Sequence, residues 1–219
     1  MTIRAGEILT SHRRAFLGLP IYDYEFKPIG KGSEMLTTFP AAPDLVSISA
    51  AATPTASGVI KTHTIAAQPE FPRDLQVRLV DGSSNSTTVR VTIAGTDFHD
   101  APIVEVVKFN VAGSQTKLTN KCFKTITSIK SKYDSATTTS VTIGVGLGTG
   151  FALPADIYAV ADVKQLIINV DDTDDTQTSD SINTTTISVA NQKYTPTSAP
   201  NGTTRKFYCT LKSSILDHA

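Results

Sequence analysis

From residue 59 onward the chain runs in short stretches whose side chains alternate between apolar and polar, separated by turn-forming clusters. In "LQVRLV" (75–80), Leu75, Val77 and Leu79 share one face and Gln76 and Arg78 the other. "TVRVTIAG" puts Val89, Val91 and Ile93 together, and "VIKTHTIAA" sets Val59, Lys61, His63 and Ile65 opposite Ile60, Thr62 and Thr64. A period of two is the side-chain repeat of a β-strand and is incompatible with an amphipathic helix. "IVEVVKFN", "CFKTITSIKS", "TTSVTIGVG", "VKQLIINV", "TTTISVA" and "RKFYCTL" continue the series with no long helical segment between them. Strands at this spacing predict an all-β fold, an antiparallel β-sandwich of immunoglobulin-like or jelly-roll-like type, over 59–219. Composition agrees. Of 219 residues 40% are hydrophobic and only 18% charged, with Ser and Thr filling much of the remainder, and β-branched Thr and Val suit a half-buried pleated surface.

Residues 1–58 read differently. "GEILTSHRRAFL" can form a short amphipathic helix, with Ile8, Leu9, His12, Phe16 and Leu17 on one side. Pro20, Pro28, Pro40, Pro43 and Pro54 follow, a density that forbids a continuous helix and fits poorly in a central strand. Ile21, Tyr22, Tyr24 and Phe26 are too apolar for a disordered tail. The segment is expected to be an extended Pro-rich arm, laid either on a partner or on its own domain.

The stretch "SVTIGVGLGTGFALP" (140–154) invites a nucleotide-binding reading. Its glycines, Gly144, Gly146, Gly148 and Gly150, recur at every second residue, and Thr149 stands where G-x-G-x-x-G would need its last glycine. A P-loop would continue with Lys and Ser or Thr, whereas Phe151-Ala-Leu-Pro154 follows, and no helix begins there to receive a phosphate. Alternate glycines instead leave one strand face bare, so that another backbone or a ring can lie close against it.

Other motifs are weaker. "DDTDDTQTSD" (171–180) is the densest acidic run, but an EF-hand loop needs Gly sixth and Glu twelfth, where Thr176 and Ile182 stand. It reads as a solvated hairpin loop, with adventitious calcium at Asp171, Asp172, Asp174 or Asp175 as the alternative. His12, His63, His99 and His218 are scattered without metal-ligand spacing. His99 between Asp97 and Asp100 could serve acid–base chemistry, yet "GTDFHDAP" has the composition of a polar hairpin turn. No nucleophile elbow and no Cys–His signature occurs. Cys122 and Cys209 lie far apart in strand-like runs, which predicts two buried thiols, with a long-range disulfide as the alternative. No enzyme, cofactor or metal site is expected.

Net charge is zero, from 20 basic and 20 acidic residues. Residues 1–58 hold 5 of each, 59–135 hold 10 and 7, and 136–219 hold 5 and 8. None has the basic excess of a nucleic-acid-binding domain, and no stretch approaches the roughly 20 apolar residues of a membrane span, so neither partner is expected. The N-terminus, with Arg13 and Arg14 in mid-segment, lacks the apolar core of an export signal. The acceptor patterns at Asn85, Asn183 and Asn201 therefore read as polar loops.

One combination of phrases is more specific. "TIAAQPEFPRDLQVRLVDGSS", "VRVTIAGTDFHDAPIVEVVKF", "KCFKTITSIK", "VTIGVGLGTGFALP" and "YTPTSAPNGTTRKFYCTLKSS" follow one another over roughly residues 62–214. The series resembles a family of tailed-bacteriophage virion structural proteins. Gln68, Pro69, Pro72 and Arg73 match its opening phrase, Gly95, Thr96 and Asp97 its hairpin, and Phe123, Lys124, Thr125 and Ile126 its strand. Leu153 and Pro154 end its glycine segment, and Ala199, Pro200, Asn201, Gly202 and Thr203 match its last phrase. His99-Asp100-Ala101 departs from the expected Asn/Gly turn, Asn201 replaces Asp, and the arm lies outside the match.

The resemblance implies a capsid decoration, or cement, protein on the virion surface, made in the host cytoplasm and binding the major capsid protein, with a homotrimer as the natural arrangement. Arg13, Arg14, Phe16, Ile21, Tyr22, Tyr24 and Phe26 are the arm residues expected to anchor on the shell or a sister subunit. A tail or head–tail connector role and a glycan-binding module are the alternatives. The absence of Trp and an aromatic content of 7% count against the last.

Overall fold

A computed structural model describes residues 21–22, 28–29, 40–53, 58–81, 87–111, 113–133, 141–169 and 177–211. The chain divides into two compact units, one comprising Ala41–Ala152 with Ala199–Asn201, the other Met1–Pro40, Leu153–Ser198 and Gly202–Ala219. All pairing described below is antiparallel. In the arm, β1 (Ile21–Tyr22) pairs with β2 (Pro28–Ile29). Arg13, Arg14, Phe16, Tyr24 and Phe26, and the expected helix, lie outside the described residues.

The first unit is a β-sandwich. One sheet sets β3 (Ser49–Ala52) beside β10 (Val141–Ala152), then β5 (Arg73–Asp81), then β8 (Gln115–Leu118). The other runs β4 (Lys61–His63), β9 (Thr125–Tyr133), β6 (Thr87–Thr96), β7 (Pro102–Val111). The alternation read from the sequence sets their inner faces. Leu75, Val77 and Leu79 lie across from Leu147, Val145 and Ile143, and Val89, Val91 and Ile93 face the same core with Val107, Phe109, Ile126, Ile129 and Tyr133. Core side chains of this size each contribute about 1.5–3 kcal/mol when removed from water.

Residues 41–52, read from the sequence as part of the arm, belong to this unit. Ile48 is fully buried in the core, and its amide donates to the Val145 carbonyl at 3.1 Å. Farther along, the Asp44 amide donates to the Leu147 carbonyl at 3.1 Å. The run "VIKTHTIAA" forms a strand only at Lys61–His63, and Val59 and Ile60 are exposed.

The second unit contains the sheet β12 (Gln177–Ser179), β11 (Val163–Asn169), β15 (Lys206–Leu211) and the hairpin β13 (Ile187–Ser188), β14 (Lys193–Tyr194). β11 is the central strand, which is why Leu166, Ile167 and Ile168 are buried in succession. The sole helical turn among the described residues is the 3-10 turn Val160–Asp162. The Asp162 Oδ2 atom caps it by accepting from the Tyr158 and Ala159 amides at 3.0 and 2.8 Å.

The glycine run of β10 is where the sandwich is most tightly constrained. A Cβ on Gly144 would sit 2.8 Å from the Leu45 carbonyl oxygen, and one on Gly146 would overlap Asp44, with its carbonyl carbon 2.6 Å away. The obstacle is backbone, which cannot swing aside. Gly146→Ala is expected to lower stability by about 1–3 kcal/mol. Ser128→Ala, on the outward face of the other sheet, should stay within about 0.5 kcal/mol in the same urea titration.

Candidate functional site

The phrases that carry the family resemblance are far apart in sequence, and in the sandwich unit four of them meet at one joint. The pairing of β6 with β9 shifts register between Ala94 and Gly95, passing over Thr127 next to Ile126, whose amide and carbonyl both take a side-chain partner. The Gln68 side chain supplies both: its Oε1 accepts from the Ile126 amide at 2.7 Å, and its Nε2 donates to the Ile126 carbonyl at 3.0 Å. Thr125 crowds Gly95 so closely that a Cβ there would overlap its carbonyl oxygen. The Thr96 and Thr125 hydroxyls are bonded at 2.7 Å, and the Lys124 amide donates to the Thr96 carbonyl at 2.8 Å.

Arg73 joins this region to the glycine segment. It exchanges backbone hydrogen bonds with Phe123 at 3.2 and 2.8 Å. Its fully buried guanidinium donates from Nη1 to the Ala41 carbonyl at 3.0 Å and from Nη2 to the Gly148 carbonyl, and lies 5.4 Å from the Phe151 ring centre. Burial draws the guanidinium pKa below its usual value, while the charges of Asp74, Glu70 and Asp44 act the other way. Asp74, also fully buried, accepts from the Gly150 amide at 2.7 Å. β10 loses register with β5 between Leu147 and Phe151, and Arg73 and Asp74 tie down the two ends of that irregularity. The glycines thus receive neighbouring backbone and two charged side chains of the same unit. No local signal marks Arg73 and Asp74 as buried, because adjacent charged residues ordinarily indicate a solvated turn.

The His99 candidate resolves into a turn. β6 and β7 form a hairpin closed by residues 97–101, in which Asp97 Oδ1 accepts from the His99 and Ala101 amides, each at 2.9 Å. Asp100 adopts a positive φ of 63°, a conformation Asp tolerates better than most residues, and its carboxylate pairs with Lys124 at 2.7 Å. Asp97 is therefore engaged in holding the turn, and His99 stacks edge-on to Phe98.

Cys122 and Cys209 are both buried and neither is in a disulfide. Burial pushes the Cys209 thiol up to about 12, which suits a packed hydrophobe and not a nucleophile. The run 171–180 contains β12, whose Gln177 pairs with Asn169 of β11. Asp171, Asp172, Asp174 and Asp175 lie outside the described residues. Asp180, at its end, is buried and accepts from the Tyr194 hydroxyl at 2.6 Å, the Thr197 hydroxyl at 2.6 Å and the Thr197 amide at 3.0 Å. Burial alone would raise this carboxyl, but the bonds from Thr197 and Tyr194 outweigh it and hold its pKa below the usual carboxylate value. Among the described residues no group of three or more His, Cys, Asp or Glu side chains could hold a metal ion, and no helix is long and apolar enough to cross a membrane.

The fold and this joint define an antiparallel all-β sandwich protein. Comparison of the chain with protein-family models, with curated proteins and with solved structures gave no match.

Two pH effects follow. His63 is buried with Nε2 bonded to the Ser131 hydroxyl at 2.7 Å; burial, then the charge of Lys61, lowers its pKa below 6.5. The unfolded chain therefore takes up a proton first, and stability should decline as pH falls below about 6.5, a slope that His63→Gln should flatten. Asp180 is the opposite case, since its folded pKa is depressed. It stabilises above its unfolded value near 3.8 and loses that contribution as pH falls through the lower folded value. Tyr194→Phe should cost about 1.5–3 kcal/mol at neutral pH and shrink this acid loss, measured by urea unfolding at stepped pH.

Proposed function

We propose that the chain is a structural component of a bacteriophage particle, a capsid decoration protein that binds the major capsid protein shell and reinforces it as a homotrimer. One observation carries this reading. The separated phrases that carry the resemblance are mutually dependent in space: Gln68 with Ile126, Gly95 and Thr96 with Thr125, Arg73 with Phe123 and the glycine segment. Phrases that meet in one joint are what a common fold would require, whereas unrelated turns would have no reason to meet.

The rest of the chemistry suits the role. A neutral, hydroxyl-rich sandwich favours lattice contacts made by shape and hydrogen bonding, which tolerate changes of salt better than contacts made by long-range charge. The arm supplies aliphatic and aromatic anchors at Ile21, Tyr22, Tyr24 and Phe26 beside Arg13, Arg14 and Phe16. Several weak arms acting from one closed oligomer gain avidity without any further contact.

Quantitative mass spectrometry of purified particles tests the reading. About one chain per shell subunit is the expected ratio; a few copies per particle would indicate a tail or connector protein, and absence would overturn a particle role. Deleting residues 1–30 should abolish incorporation while leaving the cooperative unfolding of the sandwich intact.

A further inference from the structure

β4 is fastened to the sandwich by one buried side chain. The strand is three residues long, lies at the edge of its sheet and pairs with β9, Lys61 across from Ser131, Thr62 from Lys130 and His63 from Ile129. Of residues 58–67, Lys61 and Ile65 are half-buried, His63 is buried and the others are exposed. On either side of the strand, the Gly58 amide donates to the Tyr133 carbonyl and the Ala66 amide to the Ile48 carbonyl, each at 2.8 Å. A short edge strand is ordinarily anchored by an aliphatic or aromatic side chain, because apolar burial needs no hydrogen-bond partner. Here the anchor is an imidazole.

That imidazole is half satisfied. Nε2 is bonded to the Ser131 hydroxyl at 2.7 Å, whereas Nδ1 is buried with no hydrogen-bond partner. A neutral ring leaves one polar atom unpaired; a protonated ring carries two N–H donors and a charge. Nε2 could still donate to Ser131, but the Nδ1 proton would meet no acceptor, and a buried charge without a partner costs far more than a buried neutral ring. On β9, the strand packed against it, the inward-facing groups are Ile129, Ser131 and Tyr133, while Lys130 and Lys132 lie on the other face. Ile48 adjoins through Ala66. Lys61, on the same face of β4, opposes a second positive charge there. The acidic residue carried by the described strands of this sheet is Glu105 of β7, three strands away, or about 14 Å at the usual spacing. It accepts from the Asn120 and Lys121 amides at 2.7 and 2.8 Å.

We infer that β4 is a proton-operated latch: when His63 takes up a proton, residues 58–66 lift away from β9 while the other strands of the sandwich stay paired. Lifting solvates the imidazolium and breaks the bonds of a three-residue edge, whereas unfolding the unit would expose its whole core. Burial, then the charge of Lys61, holds the pKa of the seated ring below 6.5, so the opened form binds the proton more tightly and opening grows as the pH falls below about 6.5. The opened form presents the β9 backbone at Ile129–Ser131 as an unpaired edge, to which a further strand can add. The inference is independent of the particle reading, and its test uses no particles.

Amide hydrogen exchange of the full chain at about pH 5 and about pH 7.5, read by mass spectrometry and corrected for the intrinsic effect of pH, reports opening segment by segment. Protection of residues 58–66 should fall at least about tenfold at the lower pH, while peptides from β5 and β10 keep theirs. His63→Gln, which can bond to Ser131 without titrating in this range, should leave 58–66 equally protected at both. If that variant fails to fold, Lys61→Gln keeps the test: with the like charge gone, the acid loss should shrink. Equal protection of 58–66 in the unaltered chain at both pH values, an acid loss shared equally by β5 and β10, the same loss in folded His63→Gln, or an undiminished loss in Lys61→Gln would each overturn the inference.

Discussion

At Gly146 the backbone of Asp44 comes so near that no side chain could stand between them. That approach fixes more than one strand. It lets residues 44–48 bond to Leu147 and Val145, which brings Ile48 into the core and extends the sheet to β3. It also leaves β10 without side chains where Arg73 and Asp74 reach in, so the carbonyl of Gly148 and the amide of Gly150 are bound by charged groups of the neighbouring strand. Burying two ionic side chains is costly unless each is hydrogen-bonded. The glycines supply the backbone groups that meet that requirement.

The joint around Ile126 applies the same logic on the other sheet. A register shift interrupts the ladder beside Ile126, and an unsatisfied buried amide costs on the order of 1–3 kcal/mol. Gln68, carried on the loop between β4 and β5, restores both bonds with one side chain. Arg73, at the start of β5, bonds to Phe123 and to the glycine segment. The loop and the start of β5 thus connect the irregular points of both sheets. Substitution at any of these positions would leave a buried polar group on another element.

The surface divides its duties in a similar way. Lysine ammonium groups occupy carbonyls along the edge of β7, a device that discourages strand-to-strand association. On the adjoining outward face Arg90 lies across from Lys108 and Lys132.

The sequence by itself determined the inner faces of the long strands β5 and β6. Alternation at Leu75, Val77 and Leu79 and at Val89, Val91 and Ile93 admits one arrangement with the apolar side buried, because a one-residue slip would expose every one of them. It also excluded a phosphate cradle at 144–150, since spacing and following residues are local properties. The tertiary structure alone decided the pairing. Asp81-Gly82 looks like a hairpin signal, yet β5 and β6 lie in different sheets, because β10 and β8 occupy both edges of β5. Among the described connections of the sandwich, β6–β7 is a hairpin and its neighbours cross between sheets. Burial of Arg73 and Asp74, the reach of Gln68 to Ile126, and the row formed by Arg90, Lys108 and Lys132 join residues as much as 76 positions apart. Local pattern reports which way a side chain points; only the register of strands brought together from different parts of the chain decides what it meets.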